Sequence, residues 1–260
     1  MTFPMKLLNT IEDLKQIDRN KTLCLVPTMG ALHNGHLSLV ELAKENAEQV
    51  CVSIFVNPLQ FSEGEDLDKY PRDLEADLAK LAKLEVDYVF APDYDEIYNE
   101  ATQMIKAKPK LTKHLCGLSR PGHFDGVCTV VKRLFDLIRP DSAVFGEKDY
   151  QQLMVIEDMV SILKMKVKII HGAIVREMNG LAMSSRNHYL TEDELLNAGN
   201  IFKTLSGIRG EFFTLEEGRD LLENLGIKVE YLEKRWGRLF FAGKLGSTRL
   251  IDNVRADKFY

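Results

Sequence analysis

The sequence predicts an α/β fold in which a parallel sheet carries helices on both faces and is followed by a smaller α+β domain. Two observations carry this. Short β-rich runs alternate with helical periodicity through the first two-thirds of the chain, the pattern of parallel strands joined by crossover helices. Beyond about Arg176 the pattern changes to helices followed by closely spaced short strands. The expected division is therefore 1–176 and 177–260.

Residues 22–27 (TLCLVP) form a continuous apolar run, as a strand buried on both faces requires. Leu37, Leu39, Val40, Leu42, Ala43 and Ala47 recur at helical spacing, which predicts a helix over 37–47. The run 50–56 (VCVSIFV) is β-rich. Residues 73–84 are amphipathic and follow Pro71, a helix-start signal. A short strand is expected at 87–90. Then come a helix over 126–138, a strand at 143–145, a helix over 150–163 and a strand at 166–170. Right-handed crossovers bring every strand's C-terminal end to one edge. In the tail, helices are expected over 191–208 and 215–225, the second stopped by Gly226. Short strands follow at 227–232, 239–242 and 248–251.

A net charge of −5 excludes a nucleic-acid surface spread over the whole protein, so any anion site must be a local cluster. Cys24, Cys51, Cys116 and Cys128 form no CxxC pair and read as reduced core thiols. No apolar stretch approaches the roughly 20 residues that span a bilayer. The first residues turn charged too early for a signal peptide, and a cytoplasmic protein is expected.

Four polar constellations follow strands or lie just beyond the last one. The first is Met29-Gly30-Ala31-Leu32-His33-Asn34-Gly35-His36, a glycine-containing turn feeding a helix. Such a turn presents backbone N–H groups to an anion, and His33 and His36 bracket it. Nucleotide phosphates, a structural turn and a metal pair are the three readings of this segment, the last lacking further His or Cys ligands nearby. The second is Asn57-Pro58-Leu59-Gln60, whose neutral amides suit a hydroxy acid. The third is Gly146-Glu147-Lys148-Asp149-Tyr150-Gln151-Gln152, with Lys148 offered to phosphate. The fourth is Met183-Ser184-Ser185-Arg186, with Val175 upstream; a guanidinium beside two hydroxyls suits phosphate oxygens. Arg120 and His123, in a Gly/Pro-rich loop, are expected to wall the same cleft. In open α/β sheets ligands sit at the strands' C-terminal edge.

At these residues the chain resembles the pantothenate synthetase family, within the nucleotidyltransferases that carry HxGH-type motifs. The matching segments are PTMGALHNGH, FVNPLQF, YPRDLEADL, SRPGHFDGVCTVV, FGEKDYQQL and VREMNGLAMSSRN, with LGSTRLIDN in the tail. The resemblance implies a Rossmann-like N-terminal domain, a smaller C-terminal lid domain and a homodimer. It implies that ATP and pantoate give pantoyl-adenylate and pyrophosphate with Mg²⁺, and that β-alanine then gives pantothenate and AMP. It also implies that Met29 to His36, Gly146 to Asp149, Val175 and Met183 to Arg186 contact ATP. His36 is the family's proton donor, and Gln60 and Gln152 hold pantoate, Gln60 also lying near β-alanine. His33, Lys148 and Arg186 join His36 as the groups expected to stabilise charge on the leaving pyrophosphate. Asn57 is a further candidate substrate ligand, and Asp77 a candidate outer-sphere contact of Mg²⁺. No direct metal ligand is named. The tail run 231–238 reads as a shortened connection. Two other classes compete: a transferase acting on a phosphorylated alcohol, which the neutral Gln60 and Gln152 disfavour, and a nucleotide-binding regulatory module, which intact His36, Lys148 and Arg186 disfavour.

Overall fold

Backbone pairing in the computed structural model, which describes residues 5–62, 64–99 and 102–257, groups the chain into two units. One comprises Met1–Glu147 with Gln151–Gly172, the other Lys148–Tyr150 with Ala173–Tyr260.

The first unit is built on a six-stranded sheet in the order β1-β4-β3-β2-β5-β6. Its strands are β1 (Lys6–Leu8), β2 (Leu23–Thr28), β3 (Gln49–Ile54), β4 (Tyr88–Phe90), β5 (Ser142–Gly146) and β6 (Lys168–Gly172). Every pairing is parallel, so all the C-terminal ends lie along one edge. The chain winds from β2 outward through β3 and β4, then returns to β5 on the other side of β2, which makes the β2/β5 boundary the switch point of the sheet.

Two layers of helix explain why β2 is apolar at consecutive positions. Cys24, Val26, Val50, Val52, Val89 and Val144 alternate along their strands and pack with Leu39, Val40 and Ala43 of α1 (Asn34–Lys44) and Leu81 of α2 (Leu74–Lys83). On the opposite face, the Phe145 ring meets Phe135 of a long helix edge-on at 6.4 Å. Three short helices, α3 (Tyr94–Ile97), α4 (Pro109–Thr112) and α5 (Leu115–Ser119), precede that helix, α6 (His123–Ile138). It starts after Gly122 at φ +83° and stops at Arg139 in the left-handed region. Helix α7 (Tyr150–Ile162) leads into β6.

Two helix starts and one added strand are among the differences from the sequence reading. Helix α1 begins at Asn34, so Gly35 and His36 lie in its first turn instead of in a preceding loop. Helix α6 begins at His123, three residues before the apolar periodicity shows it. Strand β1 is an addition to the expected elements: it is three residues long and buries only Leu8, too little to register as a pattern.

In the second unit, β7 (Lys228–Arg235), β8 (Arg238–Leu245) and β9 (Thr248–Arg255) form an antiparallel sheet in that order. The expected connection over 231–238 is mostly strand. Only Trp236-Gly237 turns, with both residues at positive φ (48° and 70°), the backbone of a two-residue type I′ hairpin. The single helix expected over 191–208 is two, α8 (Glu192–Ala198) and α9 (Asn200–Arg209). Gly199 separates them where a Cβ would approach the Asn179 carbonyl to 2.7 Å. Helix α9 and α10 (Leu215–Asn224) bury Ile201, Leu205 and Leu222 against Val229, Phe241 and Leu250.

All four cysteines are buried and free, and burial pushes the Cys51 and Cys128 thiols up to about 12, so they stay protonated. No helix among the described residues is long and apolar enough to cross a membrane.

Candidate active site

The turn from β2 into α1 is held by a carboxylate from α2. Asp77, 1% exposed, accepts the Ala31 N–H on Oδ2 and the Leu32 N–H on Oδ1, each at 2.8 Å. Lys80, one turn later, donates to the Leu32 carbonyl at 2.6 Å. Gly30 sits at φ +79° with space for a Cβ only 3.1 Å from Asp77 Oδ2. Both Asp77 oxygens are engaged by the backbone they position.

The same turn alters how an anion would be met. The Gly30 N–H donates to Thr28 Oγ1, the Gly35 N–H to His33 Nδ1 and the His36 N–H to the His33 carbonyl. The expected backbone cradle is thus largely satisfied internally. What the turn fixes instead is the imidazoles. His33 is the N-cap of α1, accepting from Gly35 at 3.1 Å, and His36 Nδ1 accepts the His33 N–H at 3.4 Å. A nitrogen that accepts cannot carry the proton, so each neutral ring is held as the Nε2–H tautomer. The rings lie 4.0 Å apart and both are half-buried.

Gln60 is positioned from three directions. Asn57, 1% exposed, donates from Nδ2 to Gln60 Oε1 and to the Gly126 carbonyl, each at 3.1 Å. Its Oδ1 accepts from Leu59 N–H and from the Tyr98 hydroxyl at 2.7 Å. Burial, with Tyr94 alongside, pushes the Tyr98 phenol above its ordinary range, so it remains a donor. Asn57 thereby brackets Gln60, with its donors and its acceptor engaged by protein groups. Gln60 Nε2 lies 2.9 Å from Met29 Sδ, which ties the second constellation to the first.

Arg120 and His123 act on the same residue. His123 Nδ1 donates to the Gln60 carbonyl at 2.7 Å, and Arg120 Nη2 donates to it at 3.3 Å. Arg120 also reaches His123 Nε2 at 3.1 Å and grips Glu65 at 2.5 and 2.6 Å. Burial alone would raise the Glu65 carboxyl, but the Arg120 hydrogen bonds and charge, with the Ser62 N–H and His123, outweigh it and leave it below 4.5. A carboxyl lowered on folding stabilises fully above its unfolded value and loses that contribution as pH falls through its folded one. The stability advantage of the parent over Glu65→Gln is accordingly expected to be full above the unfolded value near 4.5 and to be lost as pH falls from there through the lower folded value. Urea midpoints across pH check this; an advantage that persists into acid would rule out the ion pair as its source.

Further along the sheet edge, Gly146 ends β5 and pairs with Gly172, and Glu147 lies 4.0 Å from His171. Gln152 is half-buried in the first turn of α7. Its neighbour Gln151 is 5% exposed and bridges Cys116 N–H to the Leu111 and His114 carbonyls, a bracket like Asn57.

In the second unit, Lys148 Nζ meets Asp149 at 3.1 Å. Val175 accepts the Met183 N–H at 3.0 Å, and Ser184 Oγ accepts the Arg186 N–H at 3.3 Å at the start of a 3-10 turn over Ser185–Tyr189. Ser185 and Arg186 are half-buried. Sequence reasoning missed the positioning roles of Asp77, Glu65 and Gly126, because a carboxylate or glycine engaged by distant backbone leaves no local pattern.

A family model described as pantoate-beta-alanine ligase matches residues 6–255. The chain is 44% identical to the pantothenate synthetase of Fervidobacterium nodosum, over 96% of this chain and 99% of that one. It is 45% identical to that of Laribacter hongkongensis, with the same coverage. Among solved structures, pantothenate synthetase from Thermus thermophilus superposes with a TM-score of 0.90 at 39% identity, over 98% of this chain and 100% of that one. Pantoate-beta-alanine ligase from Francisella tularensis, complexed with beta-gamma ATP and beta-alanine, gives 0.91 at 38%, over 97% and 98%.

Proposed function

We infer the reaction and its division of labour from one premise: the chain belongs to the pantoate–β-alanine ligase family. It condenses pantoate with β-alanine at the expense of ATP. A pantoate carboxylate oxygen attacks the α-phosphorus, pyrophosphate leaves, and the β-alanine nitrogen then displaces AMP from the acyl carbon.

A carboxylate is already a nucleophile at neutral pH, so the first step needs no base. It needs charge stabilised on the departing pyrophosphate, where each preorganised donor is worth roughly 2.7–4 kcal/mol. His33 and His36 serve as Nε2–H donors, a role their capping contacts favour because the donor nitrogen is set before substrate arrives. Lys148, Ser184, Ser185 and Arg186 are assigned to phosphate oxygens, with Gly146, Glu147, Asp149, Val175 and Met183 along the nucleotide. Gln60 and Gln152 take the hydroxyls and carboxylate of pantoate.

Mg²⁺ enters as part of the substrate, MgATP. The ion is assigned to phosphate oxygens and water, the ligands Mg²⁺ ordinarily keeps.

The observation that carries this reading is the Gln60–Met29 contact at 2.9 Å, which sets the amide for the hydroxy acid directly beside the turn that bears the histidines. ATP–pyrophosphate exchange tests it. Exchange is expected only with pantoate present, and β-alanine is expected to convert the exchanging species to AMP and pantothenate. Exchange without pantoate, or none with it, would overturn the reading.

A further inference from the structure

Strand β9 carries Asp252-Asn253, part of the tail segment that shares the family pattern yet has no place in the chemistry above. Both side chains are buried, at 2% and 1% exposure. Asn253 reaches Lys148, assigned to phosphate, and Asp252 reaches the hairpin that leads into the Ser184–Arg186 segment.

Asp252 receives Arg176 through two bonds, Nη1 to Oδ2 at 2.6 Å and Nη2 to Oδ1 at 3.0 Å. Arg176 also donates to the Gly180 carbonyl at 3.0 Å and stacks 3.8 Å from the Phe202 ring centroid. Arg176 bridges Ala182 across a tight hairpin, and that hairpin runs directly into Met183–Arg186. Asp252 therefore sets the hairpin from which the Ser-Ser-Arg triplet emerges.

Asn253 donates from Nδ2 to the Lys148 carbonyl at 3.0 Å and accepts Arg238 Nη1 on Oδ1 at 2.5 Å. This orientation of the amide is the only one that works, since a guanidinium accepts nothing and a carbonyl donates nothing. Arg238, 5% exposed, places its guanidinium 4.0 Å from the centre of the Tyr150 ring. The tripeptide Lys148-Asp149-Tyr150 is thus gripped at a carbonyl and at a ring by one connected pair of side chains. The Asn253 N–H closes onto Asp252 Oδ1 at 2.7 Å, joining the two grips.

We propose that β9 is a positioning strut: Asn253 sets Lys148 and Asp252 sets the Ser184–Arg186 segment, so both phosphate-binding segments take their register from one rigid strand. The proposal rests on the assignment of Lys148 to phosphate. A lysine ammonium rides on a flexible stem, so its reach is defined only if its backbone is fixed, and a misplacement near 1 Å costs on the order of 10²-fold in rate.

The test is a double-mutant cycle read by pantoate-dependent ATP–pyrophosphate exchange. Asn253→Ala is expected to lower kcat by roughly 10- to 100-fold with little change in KM for pantoate. In a Lys148→Ala background the same replacement is expected to cost less than about twofold, because the group it positions is gone. Asn253→Asp keeps the acceptor for Arg238 but turns an oxygen toward the Lys148 carbonyl; it supplies the cycle if the alanine variant does not fold, with the same loss expected. Equal losses in both backgrounds would reduce Asn253 to a purely structural residue and overturn the proposal while leaving Lys148 in place. A Lys148→Ala enzyme with unimpaired exchange would instead remove the phosphate assignment itself.

Discussion

Replacing His36 with alanine is expected to lower pantoate-dependent pyrophosphate release by about 10²- to 10³-fold while leaving the protein folded. The two parts of that expectation have separate causes. The cap that His36 gives the fold is long, its Nδ1 accepting the His33 N–H at 3.4 Å. Losing such a contact costs on the order of 1 kcal/mol or less, and α1 retains the His33 cap to Gly35 and its buried Leu39, Val40 and Ala43. The rate has no comparable reserve, because a preorganised donor aimed at developing charge is replaced by a methyl group that cannot donate. Urea unfolding and rapid-quench measurement of pyrophosphate separate the two. A variant within about threefold of the parent in rate would take His36 out of the phosphate chemistry, whatever its stability.

The elements legible in the sequence are those whose side chains report their surroundings locally. The strands at 22–27 and 50–56 can be read because burial on both faces demands consecutive apolar residues, and the helix at 73–84 because one apolar stripe faces the core. Strand β1 buries one leucine and leaves no trace. The break at Gly199 is invisible because its cause is a carbonyl from Asn179, twenty residues earlier. The split of the candidate site follows the same rule. His33, His36, Gln60, Lys148 and Arg186 stand out because polar side chains of matching chemistry recur after strands along the sequence. The contacts that hold them do not: Asp77, Asn57, Glu65 and Asn253 each act on backbone or side chains that no local pattern connects to them. The chemistry of Asn57 and Asp77 suits a ligand, and only the structure shows the protein groups they hold.

Gly126→Ala is expected to damage the protein even though local propensity favours it. A glycine inside a helix gives up about 1 kcal/mol relative to alanine, so α6 considered alone should gain from the change. The neighbouring turn reverses the sign. A Cβ at this position would lie 2.1 Å from the Leu59 carbonyl oxygen, 2.4 Å from its carbon and 2.7 Å from the Gln60 nitrogen, all backbone atoms with no rotamer to yield. Accommodating the methyl must push the Pro58–Gln60 turn away from α6, at roughly 1–3 kcal/mol for overpacking. The same movement stretches the bond from Asn57 to the Gly126 carbonyl, which belongs to the bracket on Gln60. The expected result is a lower melting temperature together with a kcat/KM for pantoate reduced by about 10- to 100-fold. Thermal unfolding and exchange kinetics at varied pantoate decide between the two forces. A raised melting temperature with unchanged pantoate kinetics would mean that helix propensity prevails and the turn yields freely. The position of Gln60 would then not depend on the close approach of α6.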